Sequence, residues 1–209
     1  MAEISDKDAL DLLEKRFEKY RPDWRRSISD HVIIVRDLSL FLAGKMIERG
    51  ENIDLELLST ACLLHDIGYA TAKESVRHGI EGAKYLKEKG LEREARAAER
   101  HIGVGISREE SIRLGLVSRD LIPKTIDEKI LCYCDNLDFF DNKTGKHTLK
   151  DSKAVEERFG SEMGEEYRRQ TEKFNKKIED MAGKKGMDEF REYADKYNTI
   201  LATGHKLKL

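Results

Sequence analysis

The strongest constraint on how this chain folds is how little interrupts it: 209 residues contain two prolines, Pro22 and Pro123. Proline removes a backbone donor and clashes with the preceding turn, so its scarcity leaves long stretches free to be helical. Within them, apolar residues recur at three- and four-residue spacing among Leu, Ala, Glu, Lys and Arg, all strong helix formers. No segment alternates long enough to read as a half-buried strand. The reading is an all-α protein.

Leu10, Leu13 and Phe17 predict a first helix over residues 7–20. A second, over 29–47, carries His31, Ile34, Val35, Leu38, Phe41 and Leu42 on its apolar stripe and stops at Gly50. A third starts near Asp54, places Leu55, Leu58, Cys62 and His65 on one face, and ends at Gly68. The fourth and fifth are expected over 76–89 and 91–101. Ser107-x-x-Glu110 and Thr125-x-x-Glu128 are capping boxes for a sixth and a seventh, the latter reaching Phe140. Residues 141–151 read as a polar loop containing Gly145. Beyond it, Tyr167, Thr171, Phe174, Ile178 and Met181 mark one amphipathic helix, and Met187, Phe190, Ala194 and Tyr197 another. The expected organisation is an N-terminal helix packing on the core (1–24), a compact helical core (25–142) and a C-terminal helical extension (143–209) able to serve a partner or a homo-oligomer interface.

Charge narrows the partners. Thirty-nine basic residues face 41 acidic ones, a net charge of −2. No surplus of cations exists to neutralise a run of phosphates, so a long nucleic acid is not expected. No apolar run approaches the roughly 18 residues of a membrane span, and the polar, acidic start is unlike a secretory signal; a cytoplasmic protein is expected. Cys62, Cys132 and Cys134 make an odd count in apolar segments. They read as small buried hydrophobes, and Cys132-x-Cys134 lacks the spacing of a zinc knuckle.

The chemistry concentrates in two apolar stretches. Within residues 59–68, Ser59 to Leu64 run without charge into an adjacent imidazole and carboxylate, His65 and Asp66. The face that buries Leu58 and Cys62 also turns His65 inward, and a carboxylate beside it costs several kcal/mol unless a cation or metal compensates, or about that order. A core histidine bonded at a helix end is the alternative. In residues 130–140 the helix is apolar nearly all round, yet carries Asp135; the nearest basic residue, Lys129, lies six positions back on another face. The alternative there is a solvated edge shared with Asp138. His31, His78 and His101 each read singly as an interfacial histidine. Together, four of the six histidines sit at core-facing or helix-end positions with two carboxylates, a donor set suited to Mn, Fe, Co, Ni or Zn. His147 and His205 fall in polar segments and read as surface residues.

His31, then His65-Asp66, then Asp135 resembles the H…HD…D signature of the HD-domain superfamily of metal-dependent phosphohydrolases, and His65-Asp66-Ile67-Gly68 reads HDIG letter for letter. His78, followed by Gly79, Gly82 and Ala83, with His101 a helix later, is similar to the branch that adds two histidines and holds two metals. The resemblance covers roughly residues 28–142. It implies a helical HD bundle in which His31, His65, Asp66 and Asp135 hold one divalent transition metal, and Asp66 bridges to a second held by His78 and His101. It implies a cation-activated hydroxide as nucleophile and a small phosphate ester or anhydride as substrate, a nucleotide above all. Some branches carry Glu or Lys three residues after the motif Asp; here that position is Tyr69. Lys73 and Arg77, just beyond, are the candidates for gripping phosphate. The same ligand pattern also serves di-iron oxygenases of the superfamily, and a non-catalytic nucleotide-binding module is a third reading.

Overall fold

The structure is a computed structural model describing residues 3–204 and 207–209; His205 lies outside the described residues. The all-α expectation holds. The helices are α1 (Asp6–Tyr20), α2 (Arg25–Ile47), α3 (Leu55–Leu64), α4 (His78–Glu88), α5 (Glu92–Arg100), α6 (Arg108–Arg113), α7 (Ile126–Leu137), α8 (Ser152–Met163) and α9 (Glu165–Ala202). The starts of α3, α6 and α7 fall where the sequence places them, at Asp54, Ser107 and Thr125, while α2 begins four residues before the expected Ser29. The Asp54 carboxylate accepts from Leu57 N–H to open α3, and Thr125 with Glu128 closes a full capping box on α7.

Two differences concern residues 138–163. The seventh helix stops at Leu137, and β1 (Asp138–Asp141) pairs antiparallel with β2 (Lys146–Leu149), with Phe140 opposite His147. Asp141 organises the turn: one carboxylate oxygen accepts from Lys143 N–H and the other from the Thr144 hydroxyl. Strands of four residues carry too little alternation to register as a period. The second difference is α8, with Val155 and Phe159 buried, a helix the sequence did not mark individually within the expected helical extension.

The core forms two clusters that share α2 and α3. One joins Leu38, Leu42 and Leu58 to Ile130, Leu131, Ile178, Phe190 and Tyr197. The other joins Val32, Ile33, Leu63 and Leu64 to Leu13 and Phe17 of α1 and Leu86 of α4. Residues beyond 142 therefore build the main core. Their attachment is also polar: the Tyr197 hydroxyl donates to Asp37 at 2.9 Å, and Asn198 bonds both backbone groups of Leu149. Gly183 breaks α9 in the middle, at φ 70° and ψ 166°, a conformation open essentially to glycine alone. Arg49 Nε–H donates to the Met181 carbonyl just before that break. Among the described residues no helix is long and apolar enough to cross a membrane.

Candidate metal centre

His31 lies within α2, His65 caps the end of α3, Asp66 follows it, His78 opens α4, His101 caps the end of α5, and Asp135 lies in the last turn of α7. Their side chains converge. His31 Nε2 lies 3.2 Å from His65 Nε2, 3.1 Å from Asp135 Oδ1 and 3.4 Å from Asp66 Oδ2. His78 Nε2 and His101 Nε2 are 2.8 Å apart, each 3.2 Å from Asp66 Oδ1. The cluster thus has two lobes, and one oxygen of Asp66 faces each.

Close backbone contact brings the lobes together. A Cβ on Gly68 would sit 1.9 Å from the His78 carbonyl oxygen and 2.5 Å from Gly82 N. The turn carrying Asp66 therefore lies directly on the first turn of α4. Gly79 plays the same part against α5, where an added Cβ would meet the Ala98 carbonyl at 2.8 Å.

The tautomers follow from what each Nδ1 touches. His65 bonds the Cys62 carbonyl at 2.7 Å, His101 the Ala98 carbonyl at 2.8 Å, and His78 the Ser75 carbonyl. Each carbonyl lies three residues earlier and can only accept, so each Nδ1 carries hydrogen. His31 Nδ1–H donates to Asp138 Oδ2 at 2.7 Å. The neutral rings consequently present four bare Nε2 lone pairs to two carboxylates. Acceptors packed this closely with no donor between them need a cation or a proton. Nitrogen and carboxylate donors without thiolate fit a first-row divalent metal, and ligating histidines fixed through the other nitrogen are the usual support for one. His31, His65 and Asp135, and likewise His65, Asp66 and His101, bring their donor atoms within 4.8 Å of one another.

With protons alone in the cluster, its charges settle as imidazolium against carboxylate. Burial pushes the His31 pKa down, but the hydrogen bonds to Asp135 and Asp138 and the nearby carboxylate charges outweigh it and hold it well above the ordinary value. Burial likewise works against His65, and Asp66 and Asp135 raise it. Burial opposes ionisation of Asp66; the charge of His65 and the hydrogen bonds of His101 and His78 hold it well below the usual range. Asp135 is depressed in the same way by His31 and His65.

His147, read as a surface residue, is not solvated, and Asp138 does not lie on the solvated edge that was the alternative reading. The Asp138 side chain is 0% exposed, and its Oδ2 accepts from His31 and from His147 Nδ1–H, both at 2.7 Å. The His147 side chain is 8% exposed, because the hairpin lays β2 against α9 and sets the ring 6.2 Å from that of His31. Tyr69 stacks on His78 with centroids 3.8 Å apart, and its hydroxyl lies 3.2 Å from Ser75 Oγ. The two residues expected to grip phosphate lie away from the cluster. Lys73 is exposed, and Arg77 donates to the Gly115 carbonyl at 2.9 Å. Neither lines the cavity of about 640 Å³ over the cluster; the arginines that do are Arg113 and Arg158. The turn after Gly68 carries Lys73 outward, so nearness in sequence was no guide.

The model of the HD domain matches residues 28–139, more than half of the chain, and the chain belongs to the HD-domain family. An uncharacterized protein of Methanocaldococcus jannaschii, MJ0778, is 41% identical over 114 residues, 54% of this chain and 67% of that protein. Two archaeal proteins named tRNA (cytidine(56)-2'-O)-methyltransferase also match. That of Thermoplasma volcanium is 38% identical over 52% of this chain, and that of Picrophilus torridus 46% identical over 40% of it. These matches span only 30% and 25% of the two methyltransferases' own lengths. Among solved structures, the HD domain of the L. monocytogenes phosphodiesterase PgpH aligns over 81% of this chain and 94% of its own, with 16% identity and a TM-score of 0.47.

Proposed function

We propose that this protein is a metal-dependent phosphohydrolase acting on a small phosphate ester or anhydride, with nucleotides as the leading substrate class. The observation that carries the reading is the two-lobed set of acceptors: His31, His65 and Asp135 facing Asp66 Oδ2, and His78 and His101 facing Asp66 Oδ1. In this reading the first group with Asp66 holds one divalent cation and the second a neighbouring one. Such a pair supplies Lewis acidity for a phosphoryl group and an activated water near neutral pH.

The chain's own contribution is orientation. Backbone carbonyls and Asp138 fix four rings with Nε2 inward, so little reorganisation is needed during reaction. Among the described residues no backbone donor reaches either oxygen of Asp66, which suits it to span two cations. The cavity volume is in the usual range for a small molecule, and the net charge of −2 supports a small substrate over a polymer. Three buried free thiols support a reducing, cytoplasmic setting.

The test is metal analysis of protein purified without chelator, followed by a screen with manganese, cobalt, nickel and iron. Phosphomonoesters, dinucleoside polyphosphates, cyclic nucleotides and a single-stranded oligonucleotide cover the alternatives. Hydrolysis of a small phosphate is expected, and D66A should lose metal and turnover together. Oligonucleotide hydrolysis far above every small substrate would overturn the size argument. Silence on all phosphates, with oxygen uptake on a polyol or phosphonate and a mixed-valence iron signal, would make the protein an oxygenase instead.

A further inference from the structure

Arg158 lies on α8, outside the span matched by the HD domain, yet lines the cavity over the metal-binding cluster. Its guanidinium carbon sits 4.2 Å from the centroid of the Phe139 ring and 4.7 Å from that of Phe159. Phe139 follows Asp138 directly, so the hairpin that steadies His31 also provides a floor for this arginine. Its Nε is buried without an acceptor. Arg16 and Arg100 also bury an unpaired Nε, but Arg16 donates to Thr71 and Arg100 to Glu128 through their terminal nitrogens. Among the described residues Arg158 makes no hydrogen bond and no ion pair. A partly buried guanidinium fixed between two rings and left without an anion is costly for the fold alone. Burial lowers its pKa, and the charges of Glu162 and Asp135 reach it and oppose that.

We propose that Arg158 is the phosphate-binding residue of this site and that it selects a terminal phosphate, that is, a phosphomonoester. The inference rests on the phosphohydrolase reading above. Guanidinium binds phosphate through a planar fork that engages two oxygens at once. A phosphomonoester has three non-bridging oxygens: two can meet the fork while one remains for the cations. A phosphodiester has two, which the fork and the cations would have to share. The ring stacking fixes the plane of the fork beforehand, so little rotamer entropy is lost on binding.

The experiment compares wild type, R158K and R158M in the metal-loaded full chain. Methionine keeps an unbranched apolar stem over the rings and removes the charge. Inorganic phosphate is titrated calorimetrically, metal content is measured, and turnover is followed on a nucleoside 5'-monophosphate and on bis(p-nitrophenyl) phosphate. R158M is expected to bind phosphate about ten- to a hundredfold more weakly, as for loss of a charged hydrogen-bonding group. R158K should fall between, metal content should not change, and the monoester should lose more in kcat/KM than the diester. Phosphate affinity unchanged in R158M overturns the proposal. So does a wild type that hydrolyses the diester while binding no phosphate, which leaves the hydrolase reading standing. Arginine-dependent phosphate binding without hydrolysis of any ester upholds the anion site and overturns the hydrolase reading. If R158M does not fold, R158K decides: weaker phosphate binding is expected, and wild-type affinity overturns the fork.

Discussion

Asp138 takes two N–H groups on one oxygen, from His31 and His147, while its other oxygen has no partner among the described residues. Its work on His31 is to keep the proton on Nδ1 and the lone pair on Nε2. D138A removes both effects and should weaken metal binding by about 10–100-fold, the usual cost of losing such a support. D138N should lose less, since its amide carbonyl can still accept from both rings; chelator competition separates the two variants. The same residues set the pH response of chelator-stripped protein. His31 and His65 have raised values, so their stabilisation is complete below about pH 6.5 and is lost as pH rises through those values. Asp66 and Asp135 are depressed, so theirs is present above about pH 3.9 and is lost as pH falls through the depressed values. His101, lowered by burial despite Asp66, costs stability on the acid side. The urea midpoint of stripped protein should peak in mildly acidic solution, and metal affinity should climb with pH as His31 and His65 give up protons. A stripped-protein midpoint that rises steadily from pH 6 to 9 contradicts this.

At the scale of elements, the turn after α3 and the start of α4 are held apart by hydrogen atoms alone. G68A would drive a methyl into the His78 carbonyl, 1.9 Å away, and neither side is a flexible side chain. We expect a loss of about 3 kcal/mol or more in stability, and, on the two-cation reading, weaker metal binding at His78 and His101 than at His31 and His65, since the strained contact joins Asp66 to His78. Thermal melts and metal stoichiometry report the two effects. HDIG was legible because it is local: one helix end delivers His65, and Gly68 permits the contact. His31 and Asp135 were legible because each sits where its helix is otherwise apolar. Asp138, His147 and Arg158 were not, because what joins them to the site is a hairpin of two four-residue strands and the helix after it. A solvated edge at position 138 was the alternative reading of Asp135; a helix ending three residues earlier than its pattern suggested turns Asp138 inward.

For the molecule as a whole, the last sixty or so residues are part of the core as well as of the cavity wall. Ile178, Phe190 and Tyr197 share a cluster with Leu38, Leu42 and Ile130, and the deletion of each large side chain from such a core costs about 2–5 kcal/mol. A chain ending at residue 150 should therefore unfold without a cooperative transition and bind a hydrophobic dye, although it retains the whole matched domain and every metal-facing residue. A sharp thermal transition near that of the full chain would show the core to be self-sufficient.

The cavity's two walls come from different lengths of chain. The metal-facing side is drawn from residues 31–135, and the opposite side, with Arg158, Phe159 and Tyr167, from the helices after the hairpin. Substitutions at the cavity-facing positions of the second wall can therefore admit a new molecule, while the buried positions of the same helices go on supporting the first. Kinship across the domain would then record shared chemistry and say little about diet: descendants with one inherited reaction centre can live on different substrates.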